Sequence, residues 1–281
     1  MKADVTTESP TVRLDLESRP QTLTIVRGML AGVAELLWID PELLDDLKTA
    51  VSEACNNVVL HAYGDSTGPM AIRLFVDERL LRVIVGDRGV GISPAVLSDE
   101  RSDGIGVSVI RALADEVQFN SEPDGGTEVQ IDFAARDDGW RVPPSHGELA
   151  PDAGWGREQP GEVVVSLSPV ALLTGVLGRL ARTLAATAHF SLDRFSDVYL
   201  VTDTLAAHAA SAAAGSRIGA RLSAEERRLE LTVGPFRAGT GTSLQSPGSG
   251  AASPLVLLSD EVSVQPDTAG ELLRVVVIDH R

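Results

Sequence analysis

Hydrophobic positions change period several times along the 281-residue chain. Val12, Leu14 and Leu16 alternate with polar residues, the period of a half-buried strand. Leu23, Val26, Leu30, Val33 and Leu37 return at helical spacing and predict a helix between Pro20 and Leu37. Asp40 then offers an N-cap oxygen and Pro41 suits the first helical position, so a second helix is expected to run to about Ala62. AIRLFVD (71–77) and LLRVIVGD (80–87) predict a hairpin turning at Glu78 and Arg79. A glycine-rich loop, a helix from Gly104 to Ala114 and strands near Val117 and Val129 follow. Strands and helices in this order imply an α+β fold, a two-layer α/β sandwich with helices over one face of a sheet.

The second half repeats the order. VVVSLSP (163–169) matches the first strand, and Leu172 to Ala188 and Phe195 to Ala213 match the two helices. RLSAEERRLELTVG (221–234) lies on RLFVDERLLRVIVG (73–86), and LSDEVSV (258–264) lies on LADEVQF (113–119). GELLRVVVID closes the chain as GGTEVQIDF closes the first half. A tandem duplication is therefore expected, with domains at 1–133 and 161–281. Residues 134–160 are rich in Pro, Gly and Asp, have no apolar period, and read as a linker. Gly239 to Pro254, equally rich in breakers, reads as a mobile loop.

Composition narrows the function classes. With 24 Lys+Arg against 40 Asp+Glu the formal charge is −16, most of it carried by residues 1–133. Such acidity argues against unaided binding to nucleic acid or to an anionic membrane, where cationic groups supply the affinity. A single cysteine, Cys55, excludes an intramolecular disulfide and leaves no basis for a cysteine zinc site. The polar stretch Met1 to Gln21 lacks the apolar run of a secretory leader, and Val163 to Val176 is too short to span a bilayer, so a cytoplasmic protein is expected.

Four segments carry candidate chemistry. Glu53, Asn57 and His61 stand at i, i+4 and i+8 in SEACNNVVLHAY and would share one helix face. A carboxylate and an amide one turn apart can polarise a hydroxyl and ligate Mg²⁺, although a solvated face has the same spacing. In GDRGVG, Asp87 ends an apolar strand, while Gly89 and Gly91 permit close backbone approach to a ligand; a plain tight turn reads the same way. Gly104 and Gly106 open a helix whose free amides favour an anion. Gly125-Gly126-Thr127 precedes the last strand and could be no more than a hairpin turn.

In this order and spacing the segments resemble the N, G1 and G2 boxes of the GHKL (histidine kinase-like) ATPase superfamily, whose nucleotide domain has the Bergerat fold. The resemblance spans about Val12 to Phe133 and is nearest to the anti-sigma factor serine/threonine kinases, through VSEACNNVVLHAY and the short spacing between boxes. It implies that Glu53 is the general base and Asn57 the Mg²⁺ ligand. It implies that Asp87 accepts from the adenine amine with Thr127 beside it. Gly89 and Gly91 would hinge a lid over ATP, and Gly104 and Gly106 would bind phosphate through their amides. Arg27 falls where the family has a partner-contacting arginine, and His61 would face phosphate or only close its helix. The lid, Ser93 to Asp103, has eleven residues and Arg101 as its sole cation.

The second half lacks these groups. Asp203 falls near the place of Glu53 but is followed four residues later by Ala207, and Pro235 stands where Asp87 would be. It is expected to be a degenerate copy that binds no nucleotide. The resemblance implies an Mg-ATP-dependent serine/threonine protein kinase that controls a sigma factor by partner switching with a STAS-type anti-sigma-factor antagonist. The alternative is a non-catalytic module in which ATP orders a partner-binding surface. The chain would act as a pseudo-dimer within itself or as a homodimer.

Overall fold

The computed structural model describes residues 9–91, 105–121, 125–135, 139–141, 155–245 and 253–280. Its first half runs β1 (Val12–Glu17), α1 (Thr22–Leu37), α2 (Pro41–Asn57), a π-helical turn (Val58–Ala62), β2 (Pro69–Val76), β3 (Leu80–Asp87), α3 (Ile105–Leu113), β4 (Glu116–Ser121) and β5 (Thr127–Ala134). Its second half runs β6 (Val163–Leu167), α4 (Leu173–Thr187), α5 (Leu192–Ala212), β7 (Ile218–Glu225), β8 (Arg228–Phe236), α6 (Thr240–Gln245), α7 (Pro254–Leu258), β9 (Glu261–Asp267) and β10 (Gly270–Ile278).

Local chemistry accounts for the boundaries. The Asp40 carboxylate accepts from Glu42 N at 2.9 Å and from Leu43 N, capping α2 as its sequence predicts. Asp77 accepts from the amides of Arg79 and Leu80, both at 2.7 Å, and closes the β2–β3 turn. On α1, Ile25, Val26, Met29, Leu30 and Val33 are buried, the apolar stripe of an amphipathic helix. They join Leu14, Ile72, Leu74, Val83 and Ile131 from alternate strand positions in one aliphatic core. The architecture is the α+β layered fold, with antiparallel strands and helices packed on them.

The strands form one ten-stranded antiparallel sheet in the order β4-β5-β3-β2-β1-β6-β7-β8-β10-β9. The second five strands mirror the first five. The halves meet where β1 pairs with β6, with Arg13 opposite Ser166 and Leu14 opposite Val165. Above that seam α1 crosses α4 at two glycines. A β-carbon on Gly32 would stand 2.2 Å from the Gly175 carbonyl oxygen, and one on Gly175 would stand 2.4 Å from that of Gly32. Only hydrogen at both positions lets the backbones touch. Arg217, buried, donates to Pro10 O at 2.6 Å and to Ser166 Oγ at 3.2 Å, fastening the chain's early residues to the second half.

Two expectations need correction, those for the stretch 239–254 and for the longest apolar run, and the stretch read as a linker makes contacts of its own. Within the breaker-rich stretch 134–160, Trp140 is buried with its indole N–H on Asp77 O. Trp155 lies flat on Gly219, where a β-carbon would come within 2.2 Å of its ring, and Arg157 pairs with Glu17 at 2.9 Å. Aromatic and guanidinium groups thus hold the described residues 139–141 and 155–160 of this stretch against the strands. Within Gly239–Pro254, Thr240–Gln245 forms α6 rather than a loop, and Pro254 opens α7 behind the Ser253 cap. Val170–Thr187, overlapping α4, has the length and hydropathy of a membrane span, longer than the stretch the sequence suggested, but Leu173, Val176, Leu177 and Leu180 are buried in the core.

Candidate functional site

α2 packs against α3, and Gly106 in the first turn of α3 sets their approach. A β-carbon on Gly106 would stand 2.8 Å from Glu53 Oε2 and 3.6 Å from Asn57 Oδ1. A carboxylate and an amide oxygen one helical turn apart therefore lie together against the start of α3. A helix start favours an anion through its free amides and dipole, and two oxygens suit a hard divalent cation.

His61 does not join them. It lies in the π-helical turn and is exposed to solvent. The i+8 spacing that would stack it over Glu53 and Asn57 holds on an α-helix and fails across a turn with i→i+5 bonds.

The second cluster surrounds Asp87, the last residue of β3, which is 8% exposed. Its carboxylate accepts from Gly89 N at 2.7 Å and from the Thr127 amide. Burial raises its pKa above the ordinary aspartate value, and the two amides only partly offset this. Three glycines make the enclosure possible. Gly126 has φ +99°, and a β-carbon there would stand 2.3 Å from Asp87 O. Gly91 has φ +76° and lies against Gly126 O, and a β-carbon on Gly89 would stand 2.0 Å from Ala62 O. Gly125-Gly126-Thr127 thus packs against the Asp87 backbone and carboxylate as well as making a turn. Thr127 is buried, with its amide on the Asp87 carboxylate.

Gly104 and the lid segment 93–103 lie outside the described residues. Arg27 is exposed on α1 and donates to Ser52 Oγ at 3.2 Å, on the α2 turn that holds Glu53.

One contributor was missed in the sequence. The Tyr63 hydroxyl donates to Pro69 O at 2.6 Å and accepts from Arg88 N at 2.8 Å, next to Asp87. Its only signal was a tyrosine directly after the last helical turn.

The corresponding corner of the second half is built differently among the described residues. Glu271 stands in β10 opposite Phe236, as Gly126 stands beside Arg88 in the first half. Its carboxylate accepts from Gly239 N at 2.7 Å and Gly241 N at 3.1 Å, and the Val264 side chain presses on Gly241. A side chain of the protein thus occupies the amides of Gly239 and Gly241.

Comparison with known proteins agrees with the first half. Residues 16–133 match the model of the histidine kinase-like ATPase domain. Over 124 residues the chain is 35% identical to the serine-protein kinase RsbW of Bacillus velezensis, covering 39% of this chain and 78% of that protein. Over 134 residues it is 33% identical to the serine-protein kinase RsbW of Bacillus licheniformis, covering 43% of this chain and 82% of that one. Over 130 residues it is 32% identical to the anti-sigma F factor of Caldanaerobacter subterraneus subsp. tengcongensis, covering 43% of this chain and 90% of that one. The matched stretch contains both clusters, Glu53 with Asn57 and Asp87 with Thr127. The chain belongs to the histidine kinase-like (GHKL) ATPase superfamily, in its branch of anti-sigma serine-protein kinases.

Proposed function

We propose that residues 1–133 are an Mg-ATP-dependent serine/threonine kinase domain that phosphorylates a STAS-type antagonist in the cytosol and thereby controls capture of a sigma factor. The observation that carries this reading is the placing of Glu53 and Asn57 against the start of α3. Asp87 would take the adenine amine, with Thr127 beside it. Gly91 would let the lid turn away from Gly89, and the amides of Gly104 and Gly106 would receive the phosphates. Asn57 Oδ1 would hold Mg²⁺, with phosphate oxygens and water as its other ligands. Among the described residues no group of three or more His, Cys, Asp or Glu side chains is placed to hold a metal ion, and in this reading the nucleotide would supply part of the coordination. The bound ion would neutralise phosphate charge.

Glu53 would accept the proton of the antagonist's Ser or Thr hydroxyl as its oxygen bonds to the γ-phosphorus. The bond to the bridging oxygen breaks and ADP leaves. Labelled ATP and a candidate antagonist should give one labelled Ser or Thr, and calorimetry should give one Mg-ATP per chain. Stoichiometric binding with no labelled partner would favour the alternative, a non-catalytic ATP-binding module. The short lid, with Arg101 as its only cation, motivates that second reading.

We propose further that residues 161–281, beyond the linker 134–160, are a degenerate copy that serves as a built-in dimer partner. The mirrored strand order and the β1–β6 seam support this. Pro235 in place of Asp87 and the clamp of Glu271 on Gly239 and Gly241 support the absence of a second nucleotide site. A stable homodimer in light scattering would count against it.

Protonation of Asp87 gives a signed prediction. The adenine amine needs a carboxylate acceptor, so Mg-ATP affinity should be full at neutral pH. It should fall on acidification, beginning above the pH expected of an ordinary aspartate near about 4. The ligand-free fold should respond oppositely. A carboxyl whose folded pKa is raised favours the folded state once protonated, so this group's contribution to stability is present at low pH and lost as pH rises through that pKa. Titrations of Asp87→Asn should bind more weakly and lose the pH dependence. A pH dependence that survives in Asp87→Asn would assign it to another group.

A further inference from the structure

We propose that Tyr63 is a positioning residue that sets Asp87 for adenine recognition, an inference that rests on the nucleotide-pocket reading of the first half. β2 and β3 pair as far as Met70 opposite Asp87. The next two residues, Pro69 and Arg88, are not joined directly. The Tyr63 hydroxyl stands between them as a rung, donating to Pro69 O at 2.6 Å and accepting from Arg88 N at 2.8 Å. Its ring lies against Gly68, where a β-carbon would come within 2.2 Å of Cε1.

The neighbouring residue works on the same loop. Ala62 O, at the end of the π-helical turn, accepts from Val90 N at 3.0 Å. Gly89 N is taken by Asp87 Oδ1 at 2.7 Å. Three consecutive amides, those of 88, 89 and 90, are therefore held by Tyr63, Asp87 and Ala62. Two of these holders are consecutive residues at the end of the helix that bears Glu53 and Asn57. The π-helical turn is what brings both to the loop, and such turns recur at functional sites. The adenine end and the phosphate end of the pocket are thus fixed to one helix. The hydroxyl has no role in contacting the nucleotide. It bridges the β2 and β3 ends and so holds the backbone next to Asp87.

The test uses the full chain, Tyr63→Phe, and two nucleotides. Mg-ATP carries the exocyclic amine, and Mg-inosine triphosphate has an oxygen there. Tyr63→Phe should raise the dissociation constant for ATP by about three- to tenfold. Inosine triphosphate binding should stay within about twofold, because the contact that Tyr63 supports is absent. The Arg88 amide should exchange with solvent faster in the variant. Equal loss for both nucleotides with a lowered melting temperature would reduce Tyr63 to a merely structural part and overturn its role, as would unchanged ATP affinity. A wild-type chain that binds both nucleotides alike, or neither, would overturn the pocket assignment and this proposal with it.

Discussion

Glu53→Gln is expected to lower phosphoryl transfer to the antagonist by about 10²- to 10⁴-fold, the usual contribution of a positioned general base. Mg-ATP affinity should change by no more than about twofold, since the base acts on the acceptor hydroxyl and the transition state. Gln has the shape of Glu, so the close approach of Glu53 Oε2 to Gly106 is retained and α3 need not move. Single-turnover transfer of labelled phosphate and calorimetry on the same preparation separate the two effects. Transfer that survives the substitution would remove Glu53 from the chemistry. A parallel loss of ATP binding would mean that it holds the nucleotide or its metal instead.

Gly32→Ala is expected to cost about 2 kcal/mol, through overpacking at the helix crossing. The melting temperature should drop by about 4–8 °C. The clash is with backbone: the new methyl would stand 2.2 Å from the Gly175 carbonyl oxygen, so no rotamer change relieves it and α1 must move away from α4. Gly28→Ala, one turn earlier on the same helix, is the control. Its methyl would meet the Arg179 β-carbon at an ordinary 3.8 Å, and helix propensity should then raise stability by about 0.5–1 kcal/mol. Thermal unfolding of both variants decides. Opposite shifts place the seam between the halves in the crossing, whereas equal shifts would mean that the halves are not held together there. The Glu35–Arg179 ion pair at 2.7 Å spans the same seam, but it is partly exposed and adds little.

Periodicity and caps made most of the elements legible. The alternation of Val12, Leu14 and Leu16, the helical spacing from Leu23 to Leu37 and the Asp40-Pro41 start are local signals, and each appears at its place. The candidate residues were legible because Glu53 and Asn57 need only helical spacing to meet. What failed was local reasoning about groups with distant partners. The helix ends in a π turn where the Ala62 carbonyl meets Val90 N. His61 lies within that turn and is exposed. Trp140 and Trp155 lie in composition typical of a linker, yet their anchors, Asp77 O and Gly219, are far along the chain.

The amino-acid order alone determined the element sequence, the repeat of that sequence in the second half, and the Glu53–Asn57 pair, because each depends on residues within a few turns of one another. Tertiary structure alone decided which strand edges join, where β1 finds β6 by backbone hydrogen bonds that carry no side-chain code. It alone enclosed Asp87 with Gly126 and Thr127, and set the Tyr63 hydroxyl between Pro69 and Arg88. It alone put Glu271 on the amides of Gly239 and Gly241. Burial, backbone approach and the choice of hydrogen-bond partner are properties of chain segments brought together in space, and no window of sequence contains them.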